Sequence, residues 1–460
     1  MDYFKLFKEK KVVDNPLYSR DDIGVAQLFY DAHAGVIRYI VEANTWYAYN
    51  GKRWTKDERG LQAMELCKSF VKALAKYART ECKDEEEFAD YANKLKNRRR
   101  RESILSDAKS IAPMKLSEFD TDKFLLNCRN GTYNLKTFAF QPHRAADYIT
   151  KIANVDYDPK ARCQRWEGFI DEIMLSDSAT AAFLQKSLGY VLTGDTSREC
   201  LFILIGPSTR NGKSTLMESV AHILSDYAQK IQPQTLSRRF GDGAAPSPDI
   251  ARLKGARLVD ASEPPKDMEL NVAMIKQLTG GDTYTGRFLN ENPIQYRPEF
   301  KLFMHTNYLP QVSDDTLFTS GRVMLIPFDR HFLPEEQEEG LKEFFKESAN
   351  TSGILNWLIE GYRLLCKEEL AIPARVQAEI EKYRLQKDNI GSFFAEVLTP
   401  QEGNRIATSE VYTAYKDWTE LKVYKSIANR SFTMELKRRG YDIRADGKVS
   451  NVLVGYAFKE

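Results

Sequence analysis

The segment LFILIGPSTRNGKSTLMESVAHIL, residues 201–224, constrains this chain more than any other. A five-residue apolar run enters a glycine-bounded loop, and the loop opens a helix that places Leu216, Val220, Ile223 and Leu224 on one face. Strand, loop and helix in that order build a cradle for phosphate. Glycines let backbone N–H groups turn inward, the helix N-terminus adds positive potential, and a lysine adds a full charge. The loop is one residue longer than the common pattern, with five residues between Gly206 and Gly212. The predicted ATP site is Gly206, Pro207, Ser208, Thr209, Arg210, Asn211, Gly212, Lys213, Ser214 and Thr215. Lys213 is expected to reach the β- and γ-phosphates, and the Ser214 hydroxyl to bind Mg²⁺.

Further buried-strand candidates, ARLVDA, FKLFMHT and VMLIPF, alternate with helical stretches between about 165 and 335, which predicts an α/β core. ATP hydrolysis also needs an acid near the metal and a group that positions water. The run ARLVDASEPP offers Asp260 and Glu263, three apart instead of adjacent. Glu263, where the strand should end, is read as the water activator and, with Ser214 and Asp260, as part of the Mg²⁺ site. Asp260 either helps order the Mg²⁺ shell or is a strand-end acid satisfied by backbone. His305, inside an apolar run, reads as a core histidine.

Composition sets the outer bounds. A chain of 460 residues can hold roughly three domains. Sixty-seven basic residues against sixty-five acidic ones leave +2, so attraction to nucleic acid must come from local clusters. Apolar runs fall far short of the ~20 residues that span a bilayer, and MDYFKLFKEKK is too charged for a signal peptide, so a cytoplasmic protein without a membrane partner is expected. Six cysteines form no CxxC pair and are read as reduced core residues. Five scattered histidines predict no transition-metal site. In the first 155 residues, Met64, Cys67, Val71, Leu74 and Tyr77 recur at helical spacing, and WYAYNGKRW reads as a hairpin turning at Asn50-Gly51.

Four motifs in sequence order resemble the superfamily 3 DNA helicases, specifically the helicase part of the phage, plasmid and poxvirus primase-helicase proteins. They are GPSTRNGKST, ARLVDASE, IKQLTGGDTYTGRFL and KLFMHTNYLP, preceded by FLLNCRNGTYNL and DYITKIANVDYDPKARC, which are similar to the family's lead-in domain. The resemblance implies an AAA+-like P-loop ATPase core over 156–337, after a mixed α+β domain over 1–155 and before a helical extension over 338–399. It also implies that Asn307 senses the γ-phosphate or attacking water, and that Arg322 is an arginine finger supplied to a neighbouring subunit in a ring, expected to be a hexamer. Lys276 and Arg287 match basic positions of a hairpin, YTGRFL and PIQYR joined at Asn290-Glu291-Asn292, that contacts DNA in related helicases. Family members carry a primase half, for which the first 150 residues show neither a zinc motif nor a carboxylate pair; a separate primase or initiator protein is therefore an expected partner.

Residues 400–460 read as helix, helix and hairpin, a winged-helix-like DNA-binding domain. Between Leu421 and Ser450 eight Lys/Arg face three acids, and Arg430, Lys437, Arg438, Arg439 and Lys448 are the candidate DNA contacts. A second basic run, KLKNRRRRE at 94–102, lacks an aromatic platform and reads as a solvated face or subunit contact. Together these features predict an ATP-driven replicative helicase of a phage or mobile element acting on single-stranded and forked DNA. The alternative is an ATP-switched initiator or helicase loader that does not unwind processively.

Overall fold

The helical spacing at Cys67, Val71, Leu74 and Tyr77 becomes the helix Leu61–Glu81, which buries all four residues together with Phe70. This apolar face closes against Phe7, Leu28, Phe29, Ile104 and Leu105 on the helices Tyr3–Glu9, Asp22–His33 and Arg98–Ile111. The computed structural model describes residues 2–83, 85–238, 248–286, 294–312, 316–422, 426–447 and 449–459. Strands β1 (Ile37–Ile40), β2 (Thr45–Tyr49) and β3 (Trp54–Lys56) form an antiparallel meander on this module. The β2–β3 turn falls at Asn50-Gly51. There Asn50 Oδ1 accepts from Lys52 N (3.0 Å) and Arg53 N (2.9 Å), and Gly51 takes φ +93°. A second meander follows in β4 (Leu125–Cys128), β5 (Gly131–Asn134) and β6 (Ala139–Gln141).

Five parallel strands then build the central sheet: β7 (Leu201–Ile205), β8 (Ala228–Ile231), β9 (Leu258–Ser262), β12 (Lys301–Thr306) and β13 (Val323–Pro327), with the hairpin strands β10 (Tyr284–Gly286) and β11 (Ile294–Tyr296) between β9 and β12 in the chain. Their order in space is β13-β7-β12-β9-β8. All of β7, β12 and β13 is buried, as near-continuous apolar strands covered on both faces should be. Strand β8, AQKI, is missing from the sequence prediction because it is an edge strand that buries only Ile231. Leu216, Val220, Ile223 and Leu224 are fully buried on the helix Lys213–Leu224, each contributing about 1.5–3 kcal/mol of transfer free energy.

Polar groups tie the second meander to this sheet. Arg257 lies over the Tyr227 ring and donates to Leu125 O (2.7 Å), while Tyr227 Oη accepts from Asn127 N (3.3 Å). Lys301, wholly buried, donates to the carbonyls of Thr193, Asp195 (3.1 Å) and Glu299 (3.3 Å), and burial drives its pKa well below the ordinary lysine value.

Contacts divide the chain into two compact units, Met1–Pro373 and Ala374–Glu460. The second unit holds the helices Ala374–Lys387, Asn389–Val397, Thr408–Leu421 and Asn429–Arg438. Its antiparallel sheet is ordered β14 (Leu398–Ala407), β16 (Val449–Phe458), β15 (Ile443–Asp446). Phe393, Tyr415, Trp418, Phe432, Leu436 and Leu453 form its core. The predicted two helices and hairpin are present. Strand β14 is an addition whose alternation Pro400 and Gly403 hide, and its pairing shifts register between Pro400 and Arg405.

The cysteines need a correction: Cys67, Cys128, Cys163 and Cys200 are buried and unpaired, but Cys82 is half-buried and Cys366 exposed at the solvent face of a helix. No helix among the described residues is long and apolar enough to cross a membrane.

Candidate nucleotide site

Strand β7 hands the chain to the loop at Gly206, and Lys213 is the first residue of the following helix, capped by Gly212 at φ +84°. The extra loop residue is accommodated by a second left-handed position, Arg210 at φ +57°, and by Asn211, whose buried amide donates back to Ser208 O at 2.7 Å. Side chains are excluded at both glycines. A Cβ on Gly206 would strike the Asn211 amide and Phe328 O; one on Gly212 would lie 2.6 Å from Ile173 Cγ2.

Lys213 is only 5% exposed, and its Nζ donates to Asn307 Oδ1 (2.9 Å) and Gly206 O (3.2 Å). Burial pushes its pKa down to about 8, against the opposing pull of the Glu263 carboxylate. Strand order explains why these three side chains meet. Strand β12 lies between β7 and β9, so Asn307, just past β12, stands between the lysine after β7 and the acid after β9. Glu263 sits at φ +53°, its N–H donating to His305 O at 3.0 Å, and its side chain is exposed at the carboxyl edge of the sheet. That edge is where open parallel sheets bind ligands.

Asp260 lies deeper, inside the same strand that leads to Glu263. It is the third residue of β9, 4% exposed, with Oδ1 at 3.4 Å from His305 Nε2 in a geometry that makes no hydrogen bond. It is thus neither at the strand end nor satisfied by backbone through that oxygen. Arg322 is apart from Lys213. Its carbonyl accepts from Leu201 N (2.7 Å) at the start of β7, so the length of that strand, about 16 Å, separates it from the loop. The Arg322 guanidinium pairs with Glu199 and donates to Thr279 Oγ1 (3.0 Å) and Lys276 O (3.4 Å).

Residues 332–343, which span the expected boundary between the ATPase core and the helical extension, face the loop. With Arg165 and Phe169 they enclose a cleft of about 580 Å³ over residues 210–215. Phe332 N donates to Arg210 O (2.9 Å), Arg165 bridges Glu172 (3.2 Å) and Glu338 (2.7 Å), and Lys342 pairs with Glu218 (2.9 Å). The acidic, glutamate-rich composition of this segment hides its role; Phe332 and the turn at Gly340 (φ +81°) are its only local signals.

The oxygen donors suit magnesium, which binds few protein ligands and keeps several waters. Ser214 is half-buried in the first helical turn, Glu263 lies on the same edge, and the buried Asp260 Oδ1 is without a hydrogen-bond partner. Among the described residues no group of three His, Cys, Asp or Glu is gathered to hold a metal by itself.

Of the candidate DNA contacts, Lys276 is half-exposed on the helix before the hairpin, and Arg430 and Lys437 are exposed. Arg438 pairs with Glu435 (2.6 Å), and Arg439 with Glu435 (2.8 Å) and Asp388, so acids within the second unit offset part of the predicted positive charge. Arg287, Asn290–Asn292 and Lys448 lie outside the described residues.

Residues 26–175 match the family model described as D5 N terminal like, and residues 385–439 the one described as Poxvirus D5 protein-like. Both matches are to models described by their likeness to D5 proteins, and each covers less than half of the chain. It is 25% identical over 419 residues to "Putative helicase L207/L206" of Acanthamoeba polyphaga mimivirus, covering 82% of this chain and 43% of that protein. To "Putative helicase 022R" of Frog virus 3 (isolate Goorha) it is 25% identical, covering 53% and 26%. To "Putative primase C962R" of African swine fever virus (isolate Tick/Malawi/Lil 20-1/1983) it is 23% identical, covering 68% and 35%. The chain therefore spans less than half the length of these relatives, whose names agree with the primase-helicase resemblance of the motifs. Among solved structures, "The apo structure of NrS-1 C terminal region (305-718)" aligns with a TM-score of 0.49 at 10% identity, covering 95% of this chain and 100% of that one.

Proposed function

We propose that the chain is the ATP-hydrolysing helicase part of a viral or mobile-element replication protein, acting on single-stranded and forked DNA as a ring of identical subunits. The observation that carries this reading is the meeting of Lys213, Asn307 and Glu263 at the carboxyl edge of one parallel sheet, beneath a glycine loop. Lys213 would neutralise charge on the β- and γ-phosphates, giving up its bond to Asn307 for one to phosphate. Asn307 can then donate its amide to phosphate while accepting from water. Glu263, exposed and carboxylate-bearing, is placed to take the proton from that water. Ser214 and one of the two acids would hold Mg²⁺, which when bound spreads the negative charge of the phosphates. Arg322, at the opposite edge of its own sheet, can serve only a site other than the one in its own subunit, in keeping with a finger given to a neighbour.

Within the second unit, the helices Thr408–Leu421 and Asn429–Arg438 beside the three-stranded antiparallel sheet, with exposed Arg430 and Lys437, support the winged-helix reading and a contact to DNA phosphates. The test is displacement of a labelled strand from forked DNA. ATP-dependent displacement is expected; site-specific duplex binding with slow ATP turnover and no displacement would assign the chain instead to an initiator or loader.

A further inference from the structure

The basic run at 94–101 has six Lys/Arg in eight residues and no part in the nucleotide site. It straddles a helix break: Glu86–Lys94 ends, Asn97 caps the next helix by accepting from Arg99 N at 3.0 Å, and Arg98–Ile111 begins. The break bends the run into a concave surface. Lys94, Lys96, Arg99 and Arg100, with the amide of Asn93, line a depression of about 750 Å³.

Neighbouring acids neutralise only part of this charge. Of the glutamates preceding the run, Glu85 and Glu87 pair with Arg20 at 2.7 and 3.8 Å. Arg98 is paired with Glu102 (2.8 Å) and Arg100 with Asp22 (2.5 Å), while Lys94 and Arg99 are exposed and the exposed Lys96 Nζ donates to the neutral Asn93 Oδ1 (2.9 Å). The first helical turn, where carboxylates would be favoured by the backbone dipole, holds arginines and no acid. Clustered on one concave surface, these cations create a local positive potential that attracts anions.

We propose that this concave basic surface binds the phosphate backbone of duplex DNA. Its described lining residues include no aromatic side chain, so it lacks the stacking platform by which single strands are held, and it offers only the charge and amide contacts that read backbone. The proposal is independent of ATP hydrolysis.

The experiment is fluorescence anisotropy of a labelled blunt duplex with the full chain, without nucleotide, across a series of NaCl concentrations. Wild type should lose affinity linearly in log–log form. The triple variant K94A/K96A/R99A should bind more weakly, with a slope shallower by about 2.7, or about 0.9 per phosphate contact. R99K should keep the wild-type slope, because charge and not shape is read. Thermal melting and DNA-free ATP turnover should not change. If the triple variant melts early, K96A alone should reduce the slope by about 0.9. An unchanged slope in either variant, or a loss confined to single-stranded DNA, overturns the proposal.

Discussion

The proposed chemistry rests on Lys213, because a buried ammonium whose hydrogen-bond partners are one amide oxygen and one carbonyl is poorly compensated until an anion arrives. Lys213→Ala should reduce ATP turnover by more than about 100-fold, as loss of one electrostatic stabiliser does. Asn307→Ala should separate binding from chemistry: nucleotide affinity stays within a few-fold of wild type in equilibrium titration, while turnover drops by about 100-fold. Equal losses in both would show that Asn307 merely props the lysine. Glu199 adds a further residue to the picture, since it pairs with the Arg322 guanidinium.

Elements explain how that geometry is held and how much of it could be read in advance. Gly212 caps its helix in the left-handed region with Ile173 and Phe169 against it, so Gly212→Ala should cost about 1–2 kcal/mol in denaturant unfolding and more in nucleotide affinity. In the first module His33 is buried between Tyr3 Oη and Phe29 O, and burial lowers its pKa to about 4. The folded state therefore binds fewer protons than the unfolded chain between pH 6.5 and 4, and this stability, complete above pH 6.5, is lost as pH falls. Urea unfolding at pH 7 and pH 5 should differ by about 2 kcal/mol from this group, a difference that His33→Gln removes. Strands β7, β9, β12 and β13 and the loop helix were legible because burial on both faces demands uninterrupted apolar runs. Strands β8 and β14 were not, since edge position or interruption by Pro400 and Gly403 relaxes that demand. The cleft-lining segment 332–343 was illegible for another reason: its placement depends on tertiary pairing of Arg165, Glu338, Lys342 and Glu218, which no local pattern encodes.

At the scale of the whole molecule the account requires that each active site be completed by a neighbour, because Arg322 and Lys213 occupy opposite edges of one sheet. Mixing Lys213→Ala with Arg322→Ala protein, each inactive alone, should restore a fraction of turnover if sites form between subunits, and none if each subunit is self-sufficient. The most direct measurement of the central claim is steady-state ATP turnover by wild type and Lys213→Ala with and without single-stranded DNA. The account predicts hydrolysis by wild type that single strands accelerate and that the alanine variant lacks; a variant that hydrolyses ATP as fast as wild type would contradict it.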